Sequence, residues 1–272
     1  MKQCVVPFYA VTLSQLLYLL LRGGQVYFSA RSGILAAALG SMALGLLLVV
    51  LAGLSRWSYW PGIKRPYAAF CRAVFWVWGV VLLVRLSLIS RVQYRAGGLW
   101  VLLLVVWLLH LRVDWHALCR MHQALMGFAV AAALLLVGLV PRLRLANLST
   151  VPVTGGQLGR AFMALCCLCP EWLALPFAGK KGFSLCKGVP LLVFLTQSGA
   201  LFLAEAVFGW QAETGRFAAV QAVRLCGLGA FARLDDIFVG LWLLLCLYRL
   251  TVLWQLVQSL KKEGGTNVVS YE

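Results

Sequence analysis

Residues 34–54 contain no charged side chain. A membrane-crossing helix needs about 20 predominantly apolar residues, and this run meets that length without interruption. Seven further apolar runs follow the same pattern, with glycine, proline and basic residues between them. They place eight spans at residues 5–21, 34–54, 68–89, 97–111, 118–140, 158–177, 189–208 and 235–260. Composition agrees, because 62% of the residues are hydrophobic and 12% charged. Soluble domains carry about 25% charged residues and lack the polar surface to cover this much apolar material. Backbone groups in lipid must be satisfied within the segment, and the runs do not alternate as barrel strands do. The expected class is therefore an all-α integral membrane protein of about eight transmembrane helices. Residues 1–272 form one transmembrane domain, and residues 261–272 a cytoplasmic tail.

The first run is not read as a cleaved signal. Only Lys2 precedes it, and no small-x-small site follows closely. Lys and Arg number 24 against 8 Asp and Glu, a net charge of +16. These charges gather at the ends of the spans, where they meet anionic headgroups. No basic helix or aromatic-basic platform lies outside the spans, so no nucleic acid partner is expected. The basic bias between the two sides is slight and favours a cytoplasmic N-terminus. Lys261 and Lys262, at the end of the last span, agree with a cytoplasmic C-terminus.

Catalytic and metal signatures are missing. His110, His116 and His122 are six apart and do not share a helix face as an i, i+4 pair would. Cys166 and Cys169 spell C-x-x-C, but no second pair or histidine couple accompanies them. They read as small buried side chains, as do Cys71, Cys119, Cys167, Cys226 and Cys246. The sequence points to no enzyme, no cofactor and no metal. Asn147-Leu148-Ser149 matches the glycosylation pattern, which is common by chance.

Polar residues inside the spans carry the functional signal. A charge at mid-membrane costs about 2.5–3.5 kcal/mol on insertion scales, so it faces protein or water. Glu171 directly follows Pro170, and proline disturbs the helix one turn back. A broken helix beside an acid is a common transporter device for binding small substrates. The alternative is a simple kink with Glu171 near the interface. Arg85 and Arg249 lie inside spans three and eight, where they either snorkel or pair with an acid across helices. Glu205 and the Asp235-Asp236 pair read as interfacial, with acids at a helix start suiting its dipole. Ser14 and Gln15 sit in the first span, and Gly23-Gly24 follows it, as an unwound helix end or a plain loop. Trp57, Trp60, Trp76, Trp78 and Trp172 read as interface anchors and packing. Ala36-x3-Gly40 and Ser41-x3-Gly45 mark span two as a close-packing helix.

Several ordered motifs resemble one family. Val11-Thr12-Leu13-Ser14-Gln15-Leu16 is similar to its Ser-Pro-x-Gln-Leu start, and Gly98-Leu99-Trp100 to its Thr-Pro-x-Trp at span four. Leu145-Ala146-Asn147-Leu148 resembles its Asp-x-x-Asn-Leu stretch. Pro170-Glu171-Trp172, then Leu175-Pro176-Phe177 and Lys180-Lys181, resemble its Gly-Glu-Phe, Leu-Pro-Phe and Lys-Lys segment. Arg233-Leu234-Asp235-Asp236-Ile237-Phe238, then Trp242, resemble its Glu-Arg-Leu-Asp-x-Leu-Phe and Trp at span eight. The family is the B subunit of spore germinant receptors, within the amino acid–polyamine–organocation transporter superfamily. The resemblance covers nearly the whole chain at low similarity.

It implies a truncated inverted-repeat transporter fold, with a first repeat over residues 5–140 and an incomplete second over 158–260. It further implies a multi-pass protein of the inner spore membrane that senses an amino-acid-like nutrient, with receptor A- and C-type subunits as partners. The implied ligand site combines Glu171, Pro170, Ser14, Gln15, Gly23 and Gly24, with Asp235, Asp236, Arg85 and Arg249 in structural or coupling roles. The segment 22–32 is shorter than the family's glycine-rich end of span one, and Pro170 stands where the family has glycine. A proton-coupled amino-acid permease and a structural partner without a ligand site are the alternatives. The span count and charge bias predict that reporter fusions after Lys181 and at Glu272 both report the cytoplasmic side.

Overall fold

The computed structural model describes the backbone of residues 8–22, 30–57, 61–94, 101, 104, 107, 108, 113, 115–148, 155, 169–177, 188–209 and 234–265, with most of their side chains. Among these residues the regular structure is entirely helical. The α-helices are α1 (Phe8–Arg22), α2 (Ala30–Trp57), α3 (Pro61–Tyr94), α4 (Trp115–Leu134), α5 (Val189–Phe208) and α6 (Leu234–Gly265). Short 3-10 segments cover Leu135–Arg142, Leu145–Asn147 and Pro170–Ala174. Among the described residues, three stretches are long and apolar enough to cross a membrane: Lys64–Leu88, His116–Leu134 and Asp236–Lys261. Most of the fourth expected span, and of the sixth before Cys169, lies outside the described residues.

The helices run longer than their apolar cores. α3 begins at Pro61 rather than at residue 68, and α6 continues past Lys261 to Gly265, into the expected tail. Hydrogen-bonded helix does not require apolar side chains, so polar ends extend it. Pro61 also suits a first helical position, where its missing N–H is no loss. The fifth expected span is not one α-helix. α4 stops at Leu134 and tightens into the 3-10 segment ahead of Pro141, which cannot donate to the helix ladder.

α1 and α6 form the centre. Phe8, Ala10, Val11, Leu13, Leu16 and Leu17 are buried, and so are Thr12, Ser14 and Gln15 between them. A helix covered on all sides must be interior. The apolar stretch of α6 is 67% buried, against 22% for α3 and 11% for α4. α6 packs on α1, α3 and α4, while α5 packs on α1 and carries α2 on its other flank. The polarity of the bundle is inverted relative to a water-soluble fold. Glu171, Arg249, Glu205 and Gln15 are buried, whereas Leu39, Met42, Leu46 and Val49 on α2, and Val77, Val80, Val84 and Leu88 on α3, face outward. Glu205, expected near the interface, is enclosed by protein.

A small residue sets one close approach. The Gly45 position of α2 meets Pro190 of α5 at ordinary contact distance, an added Cβ lying 3.8 Å from its Cγ. Gly188, just before α5, faces Tyr9 of α1, whose hydroxyl would lie 2.6 Å from an added Cβ. The far end of α5 closes on Gly209 at φ 60°, a conformation costly for other residues. Asn147 caps that end, its Nδ2 donating to Ala206 O at 3.1 Å and Val207 O at 3.4 Å, beside Arg144 N to Ala206 O at 2.9 Å. The amide that a glycan would occupy is therefore engaged in the fold.

Gly188→Ala should destabilise the protein by about 1–3 kcal/mol, the usual range for overpacking. Adding Tyr9→Phe should recover most of that loss, since the remaining ring atoms would lie at 3.5 Å, ordinary contact. Thermal unfolding of the single and double variants in detergent measures both.

Candidate functional site

Four elements bring the polar side chains to one buried place. Pro170 opens the 3-10 segment Pro170–Ala174 after Cys169, whose φ of −128° and ψ of 67° are not helical. The fixed proline φ favours such a start. Trp172 N donates to Cys169 O at 3.2 Å. α3 holds the segment from one side, where Tyr67 Oη donates to Leu173 O at 2.8 Å and Cys71 Sγ lies 3.8 Å from the same oxygen. Glu171 then points between α1 and α6, fully buried.

Its partner is Arg249, 1% exposed, on α6. The guanidinium grips the carboxylate two-handed, Nη2 donating to Glu171 Oε2 at 2.7 Å and Nε to Oε1. The parallel fork matches the planar carboxylate and fixes both orientations. Arg249 Nη1 donates to Gln15 Oε1 at 3.1 Å. Arg85 Nη1 donates to the same oxygen at 3.4 Å. One amide oxygen of α1 thus joins α3 and α6. Of the two readings for Arg249, pairing with an acid across helices is the one observed, and Glu171 is enclosed by protein on every side.

Aromatic faces complete the cluster. The Arg85 Cζ lies 4.2 Å from the Tyr18 ring centre and 4.8 Å from that of Trp78, and the Arg249 Cζ lies 5.4 Å from that of Trp78. A ring face carries negative potential, so it steadies a cation away from water. Tyr18 stacks in turn on Trp242, 6.1 Å between centroids at 30°. Ser14 Oγ lies 3.7 Å from Cys246 Sγ. Several buried donors have no hydrogen-bond partner, including Gln15 Nε2, Trp78 Nε1 and Trp242 Nε1. A buried donor without an acceptor costs roughly 1–3 kcal/mol, so a cluster of them is unusual.

The structure brings together Gln15, Arg85, Glu171 and Arg249, with Ser14 and Pro170 adjoining through Cys246 and the chain. It does not bring in Asp236. That residue lies in the first turn of α6, about 20 Å along the helix from Arg249 at 1.5 Å per residue. Asp236 and the buried Glu205 are each engaged elsewhere. Asp235 shares that first turn, its side chain outside the described residues, as Gly23 and Gly24 are altogether.

Trp78, Tyr18 and Trp242 were missed as site residues, Trp78 having been read as an anchor. A spacing signal existed. Trp78 precedes Arg85, and Trp242 precedes Arg249, by seven residues each, which is two helical turns. Tyr18 follows Gln15 by three, on the same face of α1. Trp172 is packing, at 3% exposure, and Trp76 is outward, edge-on to Trp254 at 5.8 Å. Comparison of the chain with protein-family models, curated proteins and solved structures finds no match.

Proposed function

We propose that the chain is a polytopic helical membrane protein that binds a small zwitterionic nutrient at the Gln15–Glu171–Arg249 cluster. On this reading it is a sensing subunit akin to the B subunit of spore germinant receptors, with a transporter-like, inverted-repeat fold and A- and C-type partner subunits. It signals occupancy and catalyses nothing. The membrane reading rests on the inverted polarity of the bundle and on its long apolar helices.

One observation carries the ligand reading. A carboxylate and a guanidinium stand face to face in the interior, beside a glutamine whose amide N–H is unpartnered. An amino acid carries the same two charges. Its ammonium can take the place of Arg249 on Glu171, and its carboxylate can take the place of Glu171 on the guanidiniums. The exchange conserves buried charge, so it avoids the penalty for isolating an ion in low dielectric. The Gln15 amide N–H then has an acceptor.

A second reading has an observation of its own. Both oxygens of Glu171 are already satisfied, which suits a pair that only clamps the 3-10 segment to α6. The two readings separate experimentally. Glu171→Gln leaves Arg249 charged without its counterion and should cost about 3–5 kcal/mol of stability. The double variant Glu171→Met with Arg249→Met should recover most of it, since apolar replacement of a whole buried pair is often neutral or stabilising.

Binding of a mixture of radiolabelled L-amino acids is then measured on the recovered double variant. The ligand reading expects binding by the natural protein and none by the folded double variant. Equal binding by both, or none by the natural protein reconstituted with A- and C-type subunits, would leave only the clamp. Accumulation of label inside sealed vesicles, driven by a proton gradient, would favour a permease over a sensor.

A further inference from the structure

A groove between α3 and α6 has the polarity of an amphiphile. At one end Arg72 of α3 and Lys261 of α6 flank an open cavity of 380 Å³, with Gln258 between them. At the other end an apolar cavity of 60 Å³ runs between the same helices, bordered by Gly79, Leu83, Leu250 and Leu253. Trp76 and Val257 line both cavities, so the two adjoin along the same pair of helices.

The antiparallel packing of the helices sets the two cavities in line along one seam. Along α3 the wall proceeds Arg72, Trp76, Gly79 or Val80, Leu83, at intervals of three and four. Along α6 it proceeds in reverse, Lys261, Val257, Leu253, Leu250. From Arg72 to Leu83 the rise is about 16 Å at 1.5 Å per residue, close to half of the roughly 30 Å hydrocarbon thickness. The groove is one leaflet deep, with its cations at the headgroup level. Gly79 gives it room, because nothing lies within 4 Å of the Cβ position there.

We propose that this groove is a specific site for an anionic phospholipid. Resting on the membrane reading above, it is distinct from the Glu171–Arg249 cluster. The phosphate sits between Arg72 and Lys261, Gln258 donates to it or to the glycerol oxygens, and one acyl chain follows the groove past Trp76 to Leu83. Charge selects the headgroup and the apolar slot excludes a free phosphate. Arg72 and Lys261 share this rim, which the charge bias places on the cytoplasmic side, where anionic lipid is found.

The test uses the full chain in lipid nanodiscs, with bromine on the acyl chains as a short-range quencher of tryptophan fluorescence. The chain has 11 tryptophans, so the groove signal is the part lost in the Trp76→Phe, Trp254→Phe variant. At equal mole fraction, brominated phosphatidylglycerol should be favoured over brominated phosphatidylcholine at the groove by roughly tenfold or more. Arg72→Gln with Lys261→Gln should abolish the preference. Gly79→Phe, which fills the slot and leaves both cations, should abolish groove quenching by either lipid.

Equal quenching by the two lipids in the natural chain would overturn the proposal, as would a preference that survives loss of both cations. Groove quenching unchanged in Gly79→Phe would do the same for the acyl slot. Loss of the preference on adding glycerol phosphate alone would show a free-phosphate site instead of a lipid site. Release of the chain from membranes by alkaline carbonate would overturn the membrane reading itself, and the site with it.

Discussion

A carboxylate in the middle of an apolar bundle has two ways to exist, neutral or beside a cation. Here it is beside a cation, and the geometry of the interior follows from that choice. Arg249 holds Glu171 with two hydrogen bonds, so the 3-10 segment Pro170–Ala174 must sit against α6 at one height and one angle. The desolvation of two ions is large, and their attraction offsets it only when the remaining donors are also used. Gln15 takes one of them, and Trp78 lies beneath the guanidinium. The pair thereby dictates which faces of α1 and α3 turn inward.

That dependence explains why α1 is polar where it is most enclosed. Thr12, Ser14 and Gln15 occupy the part of the helix with no outward face. In water such residues would mark a surface. In this bundle the outward positions belong to leucine and valine, and the hydroxyls and amides serve the centre. Two other hydroxyls are absorbed locally: Ser41 donates to Ala38 O at 2.8 Å and Thr251 to Leu247 O at 3.0 Å, within their own helices. The Gln15 oxygen instead accepts across the bundle, from Arg249 and Arg85.

Much of the helical layout could be read from apolarity. α5 coincides with its expected span, and the others differ mainly at their ends, where charged residues continue the helix beyond the apolar stretch. The shift from α4 to 3-10 ahead of Pro141 was legible in principle, since proline forbids the bond, but a hydropathy reading passes over it. Within the site, each ion could be flagged from its burial cost alone. What sequence could not give was the pairing: Glu171 had two interior arginines to choose from, and distance along the chain says nothing about which is nearer. Glu205 is another such case: its place near a helix end says nothing of how closely protein encloses it, and it is 2% exposed.

α6 is an unbroken helix from Leu234 to Gly265. Arg249 and Lys261 are therefore fixed to one rod, three and a third turns apart at about 3.6 residues per turn. A rod without a break has no joint in which to absorb torsion. If the grip on Arg249 changes and α6 turns by about 20°, side chains standing about 5 Å from its axis sweep roughly 2 Å, at the rim as much as at the centre. An unbroken rod of this kind would carry a rotation begun at Arg249 to Lys261 without any hinge.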